Sequence, residues 1–212
     1  MKNIRIGCLT VVGVLGLGIL SCGSALAGEA KIMGLNGEAF MANKDGIYRV
    51  KPGMSCEAGD MLMTREGCHL DLVIGGQAGC RMLPNTTVAI ASTRSEGMKL
   101  LVAEGNVVMN IKHLTGGSEF TIDTPTAVAA VRGTQFWGRV AGNETQTLTT
   151  FAVKEGSVRV TAKESGRTVD LTVGQAADLG SGPGEMLSRP ATEQEMAAMK
   201  IADEIAGHMG SI

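Results

Sequence analysis

Beyond about residue 28 the chain alternates apolar with polar or small side chains at a period of two, and that period dictates β-strands. Leu70, Leu72 and Ile74 alternate with His69, Asp71 and Val73, and a Gly75-Gly76-Gln77-Ala78-Gly79 turn leads to a short run that ends at Met82 before Pro84 and Asn85. Val107, Met109 and Ile111 alternate with Val108, Asn110 and Lys112. Phe120, Ile122 and Thr124 run into Pro125, where a strand must end or lie at an edge. Further on, 147–153 and 158–162 bracket Lys154-Glu155-Gly156-Ser157, which reads as a hairpin turn, and 168–173 is one more strand closed by Gly174. Thirty glycines spread through these segments supply tight turns. Ala103-Glu104-Gly105-Asn106-Val107 is echoed by Lys154-Glu155-Gly156-Ser157-Val158, which suggests two related β units. Short, evenly spaced strands predict a mainly β fold, either a sandwich, a barrel or a short solenoid.

The two ends differ from this middle. Lys2 and Arg5 precede an uncharged run from Ile6 to Leu20, and Ala25-Leu26-Ala27 follows as a small-x-small exit. That order predicts a signal peptide over 1–27 and an exported protein of the periplasm or cell envelope. Ile19-Leu20-Ser21-Cys22 offers a second exit, a lipobox-like sequence that would lipidate Cys22 and attach the chain to a membrane. At the other end, Gly180-Ser181-Gly182-Pro183-Gly184 reads as the start of a linker over 180–190. Thr192 and Glu195 form a capping box, and Ala198, Ile201, Ala202, Ile205 and Met209 recur at helical spacing. One amphipathic helix is predicted over 191–210, set to pack back on the β core rather than to dock a partner.

Several function classes are excluded. With 19 basic and 21 acidic residues and no basic block, the chain lacks the clustered cations that nucleic acid requires. One Trp, one Tyr and four Phe leave few rings for stacking on bases or sugars. No hydrolase elbow, zincin helix or phosphate loop is present, and His69, His113 and His208 fall on separate elements. Cys68 and His69 are adjacent, so on a strand they point to opposite faces and cannot act as nucleophile and base. No enzyme activity, cofactor or metal is therefore expected. An exported chain meets oxidant, so two of Cys56, Cys68 and Cys80 are candidates for a disulfide, the pairing left open. Phe136 and Trp137 alternate, so one faces inward; a half-exposed Trp137 would be the best contact residue.

A set of motifs resembles one family. Gly59-Asp60-x-Leu62-x-Thr64, Pro84-Asn85-Thr86 and Gly105-x-Val107-x-Met109 precede its densest segment, Phe120-x-Ile122-x-Thr124-Pro125 followed by Val131-Arg132-Gly133-Thr134-x-Phe136. Glu155-Gly156-Ser157-Val158 and Gly174-Gln175-Ala176 complete it. Together, from about Gly53 to Leu179, these resemble the FecR domain, the periplasmic part of regulators that sense iron-chelate uptake. The resemblance implies a mainly β domain over 28–179, solenoid-like or a two-sheet sandwich, that works by binding. Its motif residues here are Thr124, Pro125, Arg132, Gly133, Thr134 and Phe136. Arg132, beside a glycine turn, would offer its guanidinium fork to a carboxylate, or simply satisfy loop carbonyls. Full regulators of the family carry a cytoplasmic segment that holds a sigma factor, whereas five residues precede the hydrophobic run here, and only about thirty follow Gly180. A stand-alone exported version is expected, binding a protein or an envelope glycan. The alternatives are a ligand-sensing component that acts through a separate membrane regulator, or a structural or adhesive surface protein.

Overall fold

The computed structural model describes residues 29–94, 97–114, 118–142, 146–180 and 186–209. The expected signal peptide and Cys22 lie outside the described residues. Strands are numbered in chain order. One sheet runs β4 (Ser55–Cys56), β1 (Ala30–Asn36), β6 (His69–Ile74), β7 (Ala78–Met82), β9 (Met98–Ile111), β12 (Thr134–Gly142), β13 (Thr147–Glu155), β16 (Gln175–Gly180) and β17 (Met186–Pro190). The other runs β3 (Gly46–Arg49), β2 (Ala39–Asn43), β5 (Met61–Thr64), β8 (Thr87–Ser92), the first half of β9, β10 (Phe120–Asp123), β11 (Ala127–Val131), β14 (Ser157–Ala162) and β15 (Thr168–Thr172). Every pairing is antiparallel except β9 with β10. The fold is the expected mainly β, two-sheet architecture, and the long strand β9 belongs to both sheets.

Alternation fills the space between the sheets. Leu70, Leu72, Met109, Phe136, Phe151 and Leu179 face inward from the first sheet and meet Leu62, Ile90, Leu100, Phe120, Ile122, Val160 and Leu171 from the second in one continuous core. Each such side chain, taken fully out of water, contributes about 1.5–3 kcal/mol.

The Glu-Gly echo marks the corners where the chain changes sheet. Gly105, at φ 91°, lets β9 pass from its pairing with β8 to its pairing with β7 and β12. A Cβ there would sit 2.4 Å from Thr86 Oγ1. Gly156, at φ 79°, does the same between β13 and β14, and a Cβ would sit 2.4 Å from the Gly133 carbonyl oxygen. The hairpin expected at Lys154-Glu155-Gly156-Ser157 is therefore corrected. β13 pairs with β12 and β16, whereas β14 pairs with β11 and β15. A residue free to take positive φ turns the chain across the sandwich rather than back along the same sheet.

The tail needs a second correction. Met186–Pro190, expected within a linker, form β17 on the edge of the first sheet, with Leu179 opposite Met186 and Gln175 opposite Pro190. Proline at the last position of an edge strand sacrifices no ladder hydrogen bond. The helix that follows is interrupted: α1 (Glu193–Ala198), a 3-10 turn over Met199–Ile201, then α2 (Ala202–Met209). Its capping box is formed as expected. Thr192 Oγ1 accepts from the Glu195 amide at 3.2 Å, and Glu195 Oε2 accepts from the Thr192 amide at 2.7 Å. Among the described residues no helix is long and apolar enough to cross a membrane.

Candidate interaction face

Five of the six motif residues shape the fold rather than a site. The Thr124 hydroxyl accepts from the Ala127 amide at 3.0 Å and lies 2.9 Å from Thr149 Oγ1, closing the turn in which Pro125 sits. Thr126 Oγ1 lies 2.6 Å from Thr149 Oγ1 and 3.0 Å from the Leu179 carbonyl. This buried hydroxyl cluster ties the β10–β11 turn of the second sheet to β13 and β16 of the first. Thr134 donates to the Ser157 carbonyl at 2.8 Å, and Gly133, at φ 120°, passes so close that a Cβ would lie 2.9 Å from His113 Cα. Phe136 is buried against Phe151, ring centres 6.3 Å apart. Arg132 alone sends a charged group into solvent, 3.7 Å from Glu119.

Trp137 is corrected from candidate contact to core. It is 7% exposed, because the tail helix lies over the outer face of the first sheet. Val108, Trp137, Ala152 and Ala176 from the sheet pack there against Met199, Ala202 and Ile205. Polar contacts fix the helix to the same face. Asn110 donates to the Ala202 carbonyl at 3.0 Å, and Lys154 meets Asp203 at 2.8 Å. Arg189 bridges Asp178 and Glu195. Arg81 makes a bidentate pair with Asp71, at 2.6 and 2.8 Å, and reaches Glu204 at 2.7 Å. Sequence reasoning missed this cluster, because Asp71 reads as a solvent-side residue yet is 2% exposed. Its one local signal is that Asp71 and Arg81 flank the glycine turn and stand directly opposite each other.

The expected disulfide is also corrected. Cys56, Cys68 and Cys80 are free and buried. Each has a different neighbour: Cys56 stands opposite Ala30, Cys80 opposite Leu72 and Met109, and Cys68 packs beside Gly37. Burial, helped by the Asp60 charge, pushes the Cys56 thiol up to about 12, and burial raises those of Cys68 and Cys80 as well. Such thiols are poor nucleophiles and poor metal ligands. His113 lies against Gly133, and His208 lies 3.2 Å from Asp71.

Among the described residues the helical cover lies on the first sheet alone, and the outer face of the second sheet carries none of it. Cross-strand register lays its outward side chains in rows. Lys99, Thr121, Ala130, Arg159 and Asp170 form one, and Leu101, Asp123, Val128, Thr161 and Thr168 form the next. Arg159 grips Asp170 with two bonds of 2.7 and 2.9 Å, which raises the guanidinium and lowers the carboxyl from their ordinary values. Lys99, at 2.7 Å, and Lys163 both bind Asp123. Partial burial works against the Asp123 charge, but the two lysine bonds outweigh it and hold the carboxyl below its usual range. Beside the Arg159–Asp170 pair lies a depression of about 500 Å³, lined by Ala130, Ser157 and Thr172 together with Glu119, Arg132, Arg159 and Asp170.

Known proteins agree with this architecture. Two crystal structures, each of a protein assigned as an anti-sigma factor from Parabacteroides distasonis ATCC 8503, at 2.50 and 1.65 Å resolution, superpose with a TM-score of 0.56 at 19% identity. The match covers 65% of this chain and 62% and 63% of those chains, so it spans about three-fifths of their length and shows a shared fold. No curated protein matches the chain. Residues 60–177 match the FecR protein family, over half of the sequence, and they include the corners, the hydroxyl cluster and the motif strands described above: the chain belongs to the FecR family.

Proposed function

We propose that this chain is a non-enzymatic docking module of the bacterial envelope that engages a protein partner through the outer face of its second sheet, in the service of signalling. The observation that carries the reading is the asymmetry of the sandwich. One outer face is covered by the chain's own helix, whereas the other presents Arg132 and Arg159 around a bed of small side chains, with Lys99 and Lys163 paired to Asp123 on the same sheet. Family membership and the anti-sigma-factor assignment of the solved relatives favour a partner that is itself a protein. A glycan is disfavoured on physical grounds. Sugar binding leans on exposed rings, and the single Trp of this chain is buried under the helix, Phe120, Phe136 and Phe151 lie in the core, Arg65 lies over Phe40, and the half-exposed Tyr48 stands at the far β3 edge.

Export rests on the charged, hydrophobic and Ala-x-Ala order of residues 1–27, with lipidation of Cys22 as the alternative exit. Intact mass of protein taken from the envelope separates the two, since an acylated Cys22 carries the mass of its lipid chains and a mature start at Gly28 does not. The docking face is tested by placing a photo-crosslinking side chain at Ala130 or Thr161 and irradiating living cells. A discrete adduct that disappears with Arg132→Glu is expected. Equal yields from a crosslinker at the remote Gly53 would sink the assignment of this face.

A further inference from the structure

The two ends of the sandwich, unlike its faces, are strand edges, and they differ in how they are guarded. In the first sheet β4 is two residues long, and β17 ends in Pro190 with Arg189 engaged by Asp178 and Glu195; short edges and prolines resist strand addition. In the second sheet β3 and β15 pair on one side only among the described residues, and neither contains a proline, a lysine or a bulge. The most exposed large apolar side chains cluster at these same ends. Ile47 is 70% exposed on β3, beside the half-exposed Tyr48, and Val173 and Leu187 are 60% and 67% exposed at the opposite end.

We infer that β15 of one molecule adds to β3 of a second copy of this chain, so that the second sheet continues head to tail. Three features of the two edges support a second copy as the occupant. Following the pairings across the sheet, with β9 and β10 the sole parallel neighbours, β15 runs opposite in direction to β3. A copy displaced along the sheet therefore presents an antiparallel partner without turning over. The faces also agree: Asp170 and Thr172 point outward and Leu171 inward, as do Arg49 and Ile47 outward and Tyr48 inward, judged from their partners in β14 and β2. One register matches everything at once, with Asp170 opposite Arg49, Leu171 opposite Tyr48, and Thr172 opposite Ile47. It sets Asp170, held by Arg159, beside Arg49, held by Glu38, so that alternating charges continue across the junction, adds Tyr48 to the inner row that Leu171 ends, and covers Ile47. A two-fold pairing of like edges sets Asp170 near Asp170 or Arg49 near Arg49, which cross-strand electrostatics disfavours.

A contact between two different edges does not close on itself, so it yields an open series of oligomers rather than a dimer. The interface is small, and the association is weak and steeply dependent on concentration. Asp170 also rims the docking depression, whereas Arg49 at the opposite edge does not, so loss of association in Arg49→Asp with its partner adduct intact separates this inference from the docking proposal.

Sedimentation velocity of protein isolated from cells expressing the full chain tests the inference. The weight-average mass should climb past the dimer as concentration rises. Asp170→Arg and Arg49→Asp should each weaken association about tenfold, and an equimolar mixture of the two should recover it, because every junction in the mixture again joins opposite charges. Emission from Trp137 shows that each variant remains folded. A wild-type protein that stays monomeric at its highest soluble concentration overturns the proposal, as do variants that associate like the wild type, or a mixture that fails to recover.

Discussion

Thr149 shows how a single polar side chain can hold two sheets together. It is fully buried on β13, and its hydroxyl lies within hydrogen-bond distance of both Thr124 and Thr126 from the second sheet. Replacing it with valine keeps the shape but leaves two buried hydroxyls short of a partner, at a cost of about 1–3 kcal/mol. Urea unfolding of Thr149→Val should show a lower midpoint at unchanged slope. The same residue marks the limit of reading a motif from sequence. Thr124 and Thr134 stand out as motif members, yet their partners Thr149 and Ser157 lie more than twenty residues away and carry no local mark. Arg132 was legible as a charge beside a glycine turn; that Arg159 and Asp170 share its rim depends on the β11–β14 and β14–β15 pairings.

At the scale of elements, the tail helix is an amphipathic layer that completes the first sheet. Truncation before Thr192 uncovers Val108, Trp137, Ala152 and Ala176, so Trp137 emission should shift to longer wavelength. An unshifted spectrum would mean that the helix does not cover the ring in solution. Acid should loosen the same element. Hydrogen bonds from Arg189, foremost, hold the Glu195 carboxyl below its ordinary value against the opposing effect of burial. A depressed folded value means that this group stabilises the helix above the ordinary glutamate range, about pH 4.3, and that the contribution is lost as pH falls through the folded value. The acid transition of Trp137 emission should be shallower in Glu195→Gln, which removes the titrating group. The capping box was readable because both partners lie within one turn. β17 was not, since its neighbours Gly180 to Gly184 advertise a break and only the free edge of β16 makes 186–190 a strand.

Across the whole molecule, the three buried thiols report on global opening. Cys56, Cys68 and Cys80 should resist alkylation in the native protein and label only as fast as it unfolds, with no mass change on reduction. Rapid labelling of the native state, or a gain of hydrogen mass on reduction, would contradict the arrangement of all three. Strand character, the inward row of most strands, the helix start and the family motif were legible in the order of residues alone, because each depends on residues within a few positions of one another. Which sheet each strand joins, that Glu-Gly corners carry the chain across the sandwich, and that Trp137 lies beneath a helix emerge only from the folded chain. Period two specifies a strand's apolar face but not its neighbour. The contacts that choose the neighbour, such as Arg81 with Glu204 across 123 residues, exist only once the chain has closed on itself.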